Sequence, residues 1–174
     1  MELKDSILKF KKLDYIVKDK DGNETTVESQ ATLPSRAHST DGGLDLTATR
    51  ITQEADMSGK LIITYHTDLA VELPQGTVGL IFMRSSVSKY SISLCNAVGV
   101  IDSDYRGEII SKFKIMTDAI PAVYQPGDKF AQLVIVPIYL LDPVFVNELS
   151  ESERGENGFG STDSKEEVKQ EENK

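Results

Sequence analysis

Leu61-Ile62-Ile63-Thr64-Tyr65, Leu69-Ala70-Val71-Glu72-Leu73 and Val78-Gly79-Leu80-Ile81-Phe82-Met83 are the segments whose reading decides the fold. Each is short, rich in aliphatic or aromatic side chains, and separated from the next by polar or turn-forming residues such as Pro74-Gln75-Gly76. Apolar runs of this length, without a sustained 3.6-residue period, are strands. The same pattern continues outward. Leu8–Leu13, Ile92–Leu94, Ile109–Ile115, Phe130–Ile138 and Val144–Val146 read as further strands. Asp21-Gly22-Asn23, Asp41-Gly42-Gly43, Ser58-Gly59 and Pro126-Gly127-Asp128 supply the turns between them. Tyr15–Lys18 and Glu24–Glu28 flank the first of these turns and predict an exposed hairpin over about 15–28. Ser85–Tyr90 is the one candidate for a short helix. Regularly spaced short strands without βαβ alternation predict an all-β fold, a jelly-roll-like sandwich or barrel.

With 174 residues the chain suits one domain with a real core. The net charge of -9 argues against a general grip on nucleic acid, whose phosphates would be repelled. A polyphosphate can still bind where a few arginines and backbone N–H groups converge. Cys95 is the only cysteine, which excludes an intrachain disulfide and a thiol–metal cluster, and it reads as a buried core residue. Met1-Glu2-Leu3-Lys4-Asp5 is not an apolar signal region, and no apolar run approaches membrane-spanning length, so a cytoplasmic protein is expected. After Leu149 the composition changes to glycine, serine and charge, with Phe159 the only aromatic residue. The expected organisation is a β domain over 1–149, a mobile arm over 150–163 and a charged, disordered tail over 164–174.

Five short segments carry chemistry. Gly99-Val100-Ile101-Asp102-Ser103-Asp104-Tyr105-Arg106-Gly107 is a hairpin with an acidic turn. Its carboxylates can hold and deprotonate a water, and its ring can pack on a sugar or base. Arg84-Ser85-Ser86 is either a capped surface helix or an anion site, since a helix start offers N–H groups beside a hydroxyl and a guanidinium. Ser39-Thr40-Asp41-Gly42-Gly43-Leu44-Asp45-Leu46 is a glycine turn running into a strand. Gly127-Asp128-Lys129-Phe130-Ala131-Gln132-Leu133 is a second such turn, and the amide of Gln132 needs partners at a core position. Arg154-Gly155-Glu156-Asn157-Gly158-Phe159-Gly160-Ser161-Thr162 resembles a phosphate loop. It lacks the lysine and following helix of a Walker motif, which leaves a flexible tail or a glycine-rich lid. His38 and His66 give no paired metal spacing.

Taken in order, these five segments resemble the five motifs of the homotrimeric dUTPase family, over roughly Ala37 to Thr162. The resemblance implies a jelly-roll-like subunit and a trimer with three shared active sites, each reached by a mobile C-terminal arm. It implies hydrolysis of dUTP to dUMP and pyrophosphate, with Asp102 orienting the attacking water and Tyr105 packing on the deoxyribose. Asn96 and the backbone from Gly99 through Ile101 would read the uracil. Arg84, Ser85, Ser86, Gln132 and Arg154 would meet the phosphates, with Gly160 and Ser161 completing the lid and Phe159 stacking over the base. Asp45 and Arg106 would support the site. Mg2+ would be held by the triphosphate and waters, with no direct protein ligand.

Two positions depart from the family pattern. Met83 stands where proline is usual, which should matter little. Asp163 stands where a final glycine is common and is expected to point outward. The nearest rival is dCTP deaminase, which shares the fold but carries a catalytic glutamate where Lys112 stands here, so deamination is disfavoured. A trimeric interaction module, binding a protein partner through the extra hairpin and acidic tail, is a different class of answer. Retention of Asp102, Tyr105 and the fifth motif argues against loss of activity.

Overall fold

The computed structural model describes residues 7–117, 119 and 122–156. Residues 7–140 and 141–156 fall into separate units. The first contains twelve strands among the described residues: β1 (Lys9–Lys12), β2 (Tyr15–Lys18), β3 (Glu24–Val27), β4 (Gly43–Thr47), β5 (Arg50–Ala55), β6 (Leu61–His66), β7 (Leu69–Glu72), β8 (Thr77–Met83), β9 (Ile92–Leu94), β10 (Gly99–Ile101), β11 (Ile110–Ile115) and β12 (Lys129–Pro137). A single 3-10 turn, Ser85–Lys89, stands where the short helix was expected. No helix among the described residues is long and apolar enough to cross a membrane.

Two four-stranded antiparallel sheets, ordered β10-β8-β12-β4 and β5-β6-β11-β9, carry the core. A two-stranded β1-β7 sheet and the β2-β3 hairpin accompany them. Alternation along the strands explains why they face each other. Phe130, Leu133, Leu44, Leu46, Ile81 and Ile101 point inward from one sheet or its edge, and Ile63, Tyr65, Leu94 and Phe113 from the other. Tyr65 sits at the centre, stacked on Phe130 at 5.0 Å and edge-on to Phe113 at 5.1 Å. Such ring pairs add about 0.5–1.5 kcal/mol each beyond their burial. Among the described residues the buried Tyr65 hydroxyl has no hydrogen-bond partner, and burial pushes its pKa up to about 12.

An ion-pair network ties the root of the hairpin to the β10–β11 connection. Arg50 Nε donates to Asp68 Oδ1 and its Nη2 to Glu108 Oε2, both at 3.0 Å, with the Tyr15 ring 4.7 Å from the guanidinium. Glu108 Oε1 accepts the Asp68 N–H at 2.9 Å, and His66 Nδ1 lies 3.1 Å from Oε2. Burial pushes the Glu108 carboxyl up, but His66, the Asp68 N–H and Arg50 more than offset this and hold it below the usual carboxylate range.

Three expectations need correction. Val144–Val146 forms no strand; Val144 and Phe145 are exposed, because in the described chain nothing pairs their backbone. Cys95 is exposed rather than buried: it follows the last residue of β9, where the chain turns away from the core. β5 was not anticipated, since Arg50-Ile51-Thr52-Gln53-Glu54-Ala55 is an edge strand with a largely exposed polar surface and no apolar run to announce it.

Candidate active site

β4 and β12 pair so that Asp45 lies opposite Gln132, and β12 continues from Lys129 at its entry. Arg84 leaves the end of β8 in extended conformation, just before the 3-10 turn. These elements bring Asp45, Arg84, Lys129 and Gln132 into one cluster. Arg84 Nε and Lys129 Nζ each donate to the buried Asp45 carboxylate at 3.0 Å, and Gln132 Nε2 donates at 3.2 Å. Arg84 Nη1 also donates to the Lys129 carbonyl at 3.1 Å. Burial pushes the Asp45 carboxyl up, but the Lys129 and Gln132 hydrogen bonds and the Arg84 charge outweigh it, leaving it below the ordinary range. Two cations face one carboxylate, so the cluster retains a positive excess suited to phosphate.

That excess opens onto a cleft of about 570 Å³ lined by Arg84, Ser86, Lys89, Tyr124, Lys129 and neighbouring residues. The 3-10 turn begins there without a side-chain cap, and Ser85 is exposed at its start. The Ser86 hydroxyl is engaged with the Tyr124 hydroxyl at 3.0 Å. Lys129 was quoted in the sequence only as part of a turn. Its role comes from strand pairing against β4, which the sequence does not display.

The acidic hairpin is built separately. β10 pairs with β8, with Gly99 opposite Ile81 and Ile101 opposite Gly79. A Cβ on Gly99 would lie 3.0 Å from that of Ile81, so only glycine lets the strands approach this closely. The Ile101 side chain is buried in the core. Beyond it the Tyr105 N–H donates to the Asp102 carbonyl at 3.1 Å, and Arg106 Nη1 closes the turn on the carbonyls of Ser103 and Tyr105 at 2.8 and 2.9 Å. The Tyr105 ring folds over Gly107, where any Cβ would overlap its hydroxyl, and that hydroxyl donates to the Glu108 carbonyl at 3.0 Å. Asp102 is left exposed, and its carboxylate accepts no hydrogen bond among the described residues.

Asn96 and Gly99 line a third feature, a cavity of about 300 Å³ completed by Leu94, Cys95, Ile110, Ser111 and Lys112. The turn that presents Asn96 is tight: Ala97 has φ +58 and the Val98 N–H donates to the Asn96 carbonyl at 2.5 Å. A non-glycine residue in this region is strained, and the strain fixes the direction of Asn96. Met83 also has a specific part here, its sulfur accepting the Leu94 N–H at 3.3 Å. Lys112, the position that separates the two rival chemistries, is ion-paired with Glu54.

The subunit does not bring Asp102 to the phosphate cluster. Asp102 follows the residue opposite Gly79, whereas Arg84 follows the other end of β8. At ~3.3 Å per strand residue the two are roughly 20 Å apart. Arg154 occupies an exposed turn over 153–156 in the second unit, where the Gly155 N–H donates to the Ser152 carbonyl at 3.1 Å. Phe159, Gly160 and Ser161 lie outside the described residues.

A β-sandwich bearing a cationic cleft, a small cavity beside a strained turn and an exposed carboxylate on a closed hairpin is an all-β protein whose surface suits an anionic ligand. Comparison with known proteins makes the assignment specific. The sequence model of the dUTPase family matches residues 29–163. The chain is 40% identical over 153 residues to deoxyuridine 5'-triphosphate nucleotidohydrolase of Desulfitobacterium hafniense, covering 87% of this chain and 94% of that one. It is 41% identical over 138 residues to the enzyme of the same name from Corynebacterium diphtheriae, covering 78% and 88%. Among solved structures, a mutant Staphylococcus bacteriophage 80alpha dUTPase with dUpNHpp superposes with a TM-score of 0.68 at 28% identity, covering 90% of this chain and 98% of that one. A mutant dUTPase of S. aureus phage phi11, described with a coordinated structural Mg(II) ion, gives 0.59 at 26% identity, with 82% and 98% covered. The chain belongs to the dUTPase family.

Proposed function

We infer that the chain is a dUTP diphosphatase, hydrolysing dUTP to dUMP and pyrophosphate and so removing dUTP from the nucleotide pool while supplying dUMP for dTMP synthesis. The observation that carries this reading is the cavity of Asn96 and Gly99, set on the same hairpin that presents Asp102. Uracil donates from N3 and accepts at O4, and cytosine reverses both roles. Fixed backbone groups around Gly99 and Ile101 can enforce the difference, because the wrong base leaves buried polar groups unpaired.

In this reading Asp102 holds the attacking water as general base, and the Tyr105 ring covers the sugar where a ribose would carry its 2′-hydroxyl. Arg84, Ser85, Ser86, Gln132 and Arg154 bind the phosphates, now joined by Lys129. The donors gathered at the cleft are cations and amides, which suit phosphate oxygens rather than a metal. Mg2+ therefore fits as a companion of the triphosphate, held through it and through waters. When bound it would neutralise charge on the leaving pyrophosphate.

Pyrophosphate release, measured side by side with dUTP, dCTP, dTTP and UTP, is expected from dUTP alone; comparable turnover of dCTP would overturn the reading. In the same panel Tyr105→Ala should lower the ratio of kcat/KM for dUTP over UTP. An unchanged ratio would remove Tyr105 as the sugar gate.

We also propose that the active enzyme is a homotrimer. The roughly 20 Å between Asp102 and Arg84 supports a site assembled from different copies. So does the run of exposed apolar residues Tyr139, Leu140, Leu141, Val144, Phe145 and Leu149, which is costly to leave in water. Sedimentation of the active protein should give three times the chain mass, and a fully active monomer would sink the idea.

A further inference from the structure

Tyr124 lies outside the five motifs and is 2% exposed, yet it lines the cationic cleft of Arg84 and Lys129. Its surroundings hold it still. The Tyr65 ring meets it edge-on at 5.9 Å. The chain runs from it straight into a turn over 125–128, closed by the Asp128 N–H on the Gln125 carbonyl at 2.9 Å and by the Gln125 N–H on Asp128 Oδ2 at 2.7 Å. That turn is fastened just beyond β4, where the Gly127 N–H donates to the Ala48 carbonyl at 2.7 Å. Another part of the cleft wall is the 3-10 turn Ser85–Lys89, which has no side-chain cap and no buried residue of its own. Tyr124 meets this turn at two points. Its hydroxyl lies 3.0 Å from Ser86 Oγ near the start, and its ring centroid lies 4.3 Å from that of Tyr90 just past the end.

We propose that Tyr124 is a positioning residue for phosphate binding, acting through Ser86 to hold the 3-10 turn as a fixed wall of the cleft. The inference rests on the dUTPase reading and extends it to a residue outside the five motifs. A short turn without a cap or a buried residue is free to fray, and ordering it around a ligand costs conformational entropy. A turn pinned before the ligand arrives spares that cost. Arg84 and Ser85 immediately precede Ser86, so fixing Ser86 also limits how both leave β8. Tyr124 need not touch the substrate for this. Its effect falls on the phosphates and spares the nucleoside, whose base and sugar are held by other residues on the same reading.

The test compares Tyr124→Phe, Ser86→Ala and the double variant in the full-length protein. Binding of a non-hydrolysable dUTP analogue is measured by calorimetry, beside melting temperature. Deoxyuridine, which has no phosphate, is titrated as an inhibitor of dUTP hydrolysis. Tyr124→Phe keeps the ring and its contacts with Tyr65 and Tyr90, so the variant should fold. It should weaken analogue binding about 3- to 10-fold, the range for one neutral hydrogen bond, and leave inhibition by deoxyuridine unchanged. Ser86→Ala should weaken the analogue at least as much, and Tyr124→Phe should add nothing in that background. Unchanged analogue affinity in Tyr124→Phe overturns the proposal, and with a lowered melting temperature it assigns the contact to stability alone. Equal losses for the analogue and deoxyuridine overturn it as a general disturbance of the fold. Additive losses in the double variant overturn it too, because Tyr124 would then not act through Ser86. If the parent protein releases no pyrophosphate from dUTP, the dUTPase reading fails and takes the proposal with it. An active parent matched in analogue affinity by its Tyr124→Phe variant sinks the proposal alone.

Discussion

Asp102→Asn is expected to lower kcat for dUTP by about 10²–10⁴-fold, the usual worth of a general base, with dUTP binding nearly unchanged. The amide keeps the shape and the hydrogen-bonding reach of the carboxylate but cannot take a proton from water. The surroundings favour a clean result. The turn beyond Ile101 is closed by the Tyr105 N–H and by Arg106 on backbone carbonyls, and neither contact involves the Asp102 side chain. Its carboxylate supports no hydrogen bond among the described residues, so the substitution should not disturb folding. Single-turnover hydrolysis with equilibrium binding of a non-hydrolysable analogue separates chemistry from affinity. A folded variant turning over at the parental rate would take Asp102 out of the mechanism.

Ending the chain at Ser152 should cost at least about 10²–10³-fold in kcat/KM while leaving the β domain intact. The removed stretch begins with Glu153, includes Arg154 and Phe159, and is too polar and glycine-rich to contribute to a core. Arg154 offers forked donors to phosphate, and an aromatic ring over the base helps exclude bulk water. Removal of one well-aimed donor to a developing charge costs roughly 3–4 kcal/mol. Melting temperature and oligomeric state should match the intact protein. A truncated chain that also matches it in dUTP turnover would reduce the segment to a linker.

The sandwich was legible because its strands alternate and its turns are marked. Ile63 with Tyr65 and Ser111 with Phe113 alternate as a buried strand face should, whereas Phe130 and Leu133 are both buried only because the register shifts at the start of β12. What stayed hidden depends on pairing. β5 is polar because it is an edge, and only its register against β6 identifies it. The apolar spacing of Val144–Val146 suggested a strand, but a strand needs a partner and the described residues supply none. The site followed the same rule. Motif order pointed to Asp45, Arg84, Asp102, Tyr105 and Gln132. The part of Lys129 emerged only when β12 was laid beside β4. Its motif could be read along the chain, but its place beside Asp45 could not.

The Asp45 carboxylate has a consequence for the timing of turnover. Before substrate arrives it already occupies Arg84 and Lys129, at the same distances a phosphate oxygen would choose. On the proposed reading, an incoming phosphate would have to displace or share this internal anion, and Asp45 would take the two cations back as the phosphate leaves. Asp45 would then act as a resident competitor that tempers affinity at the cleft.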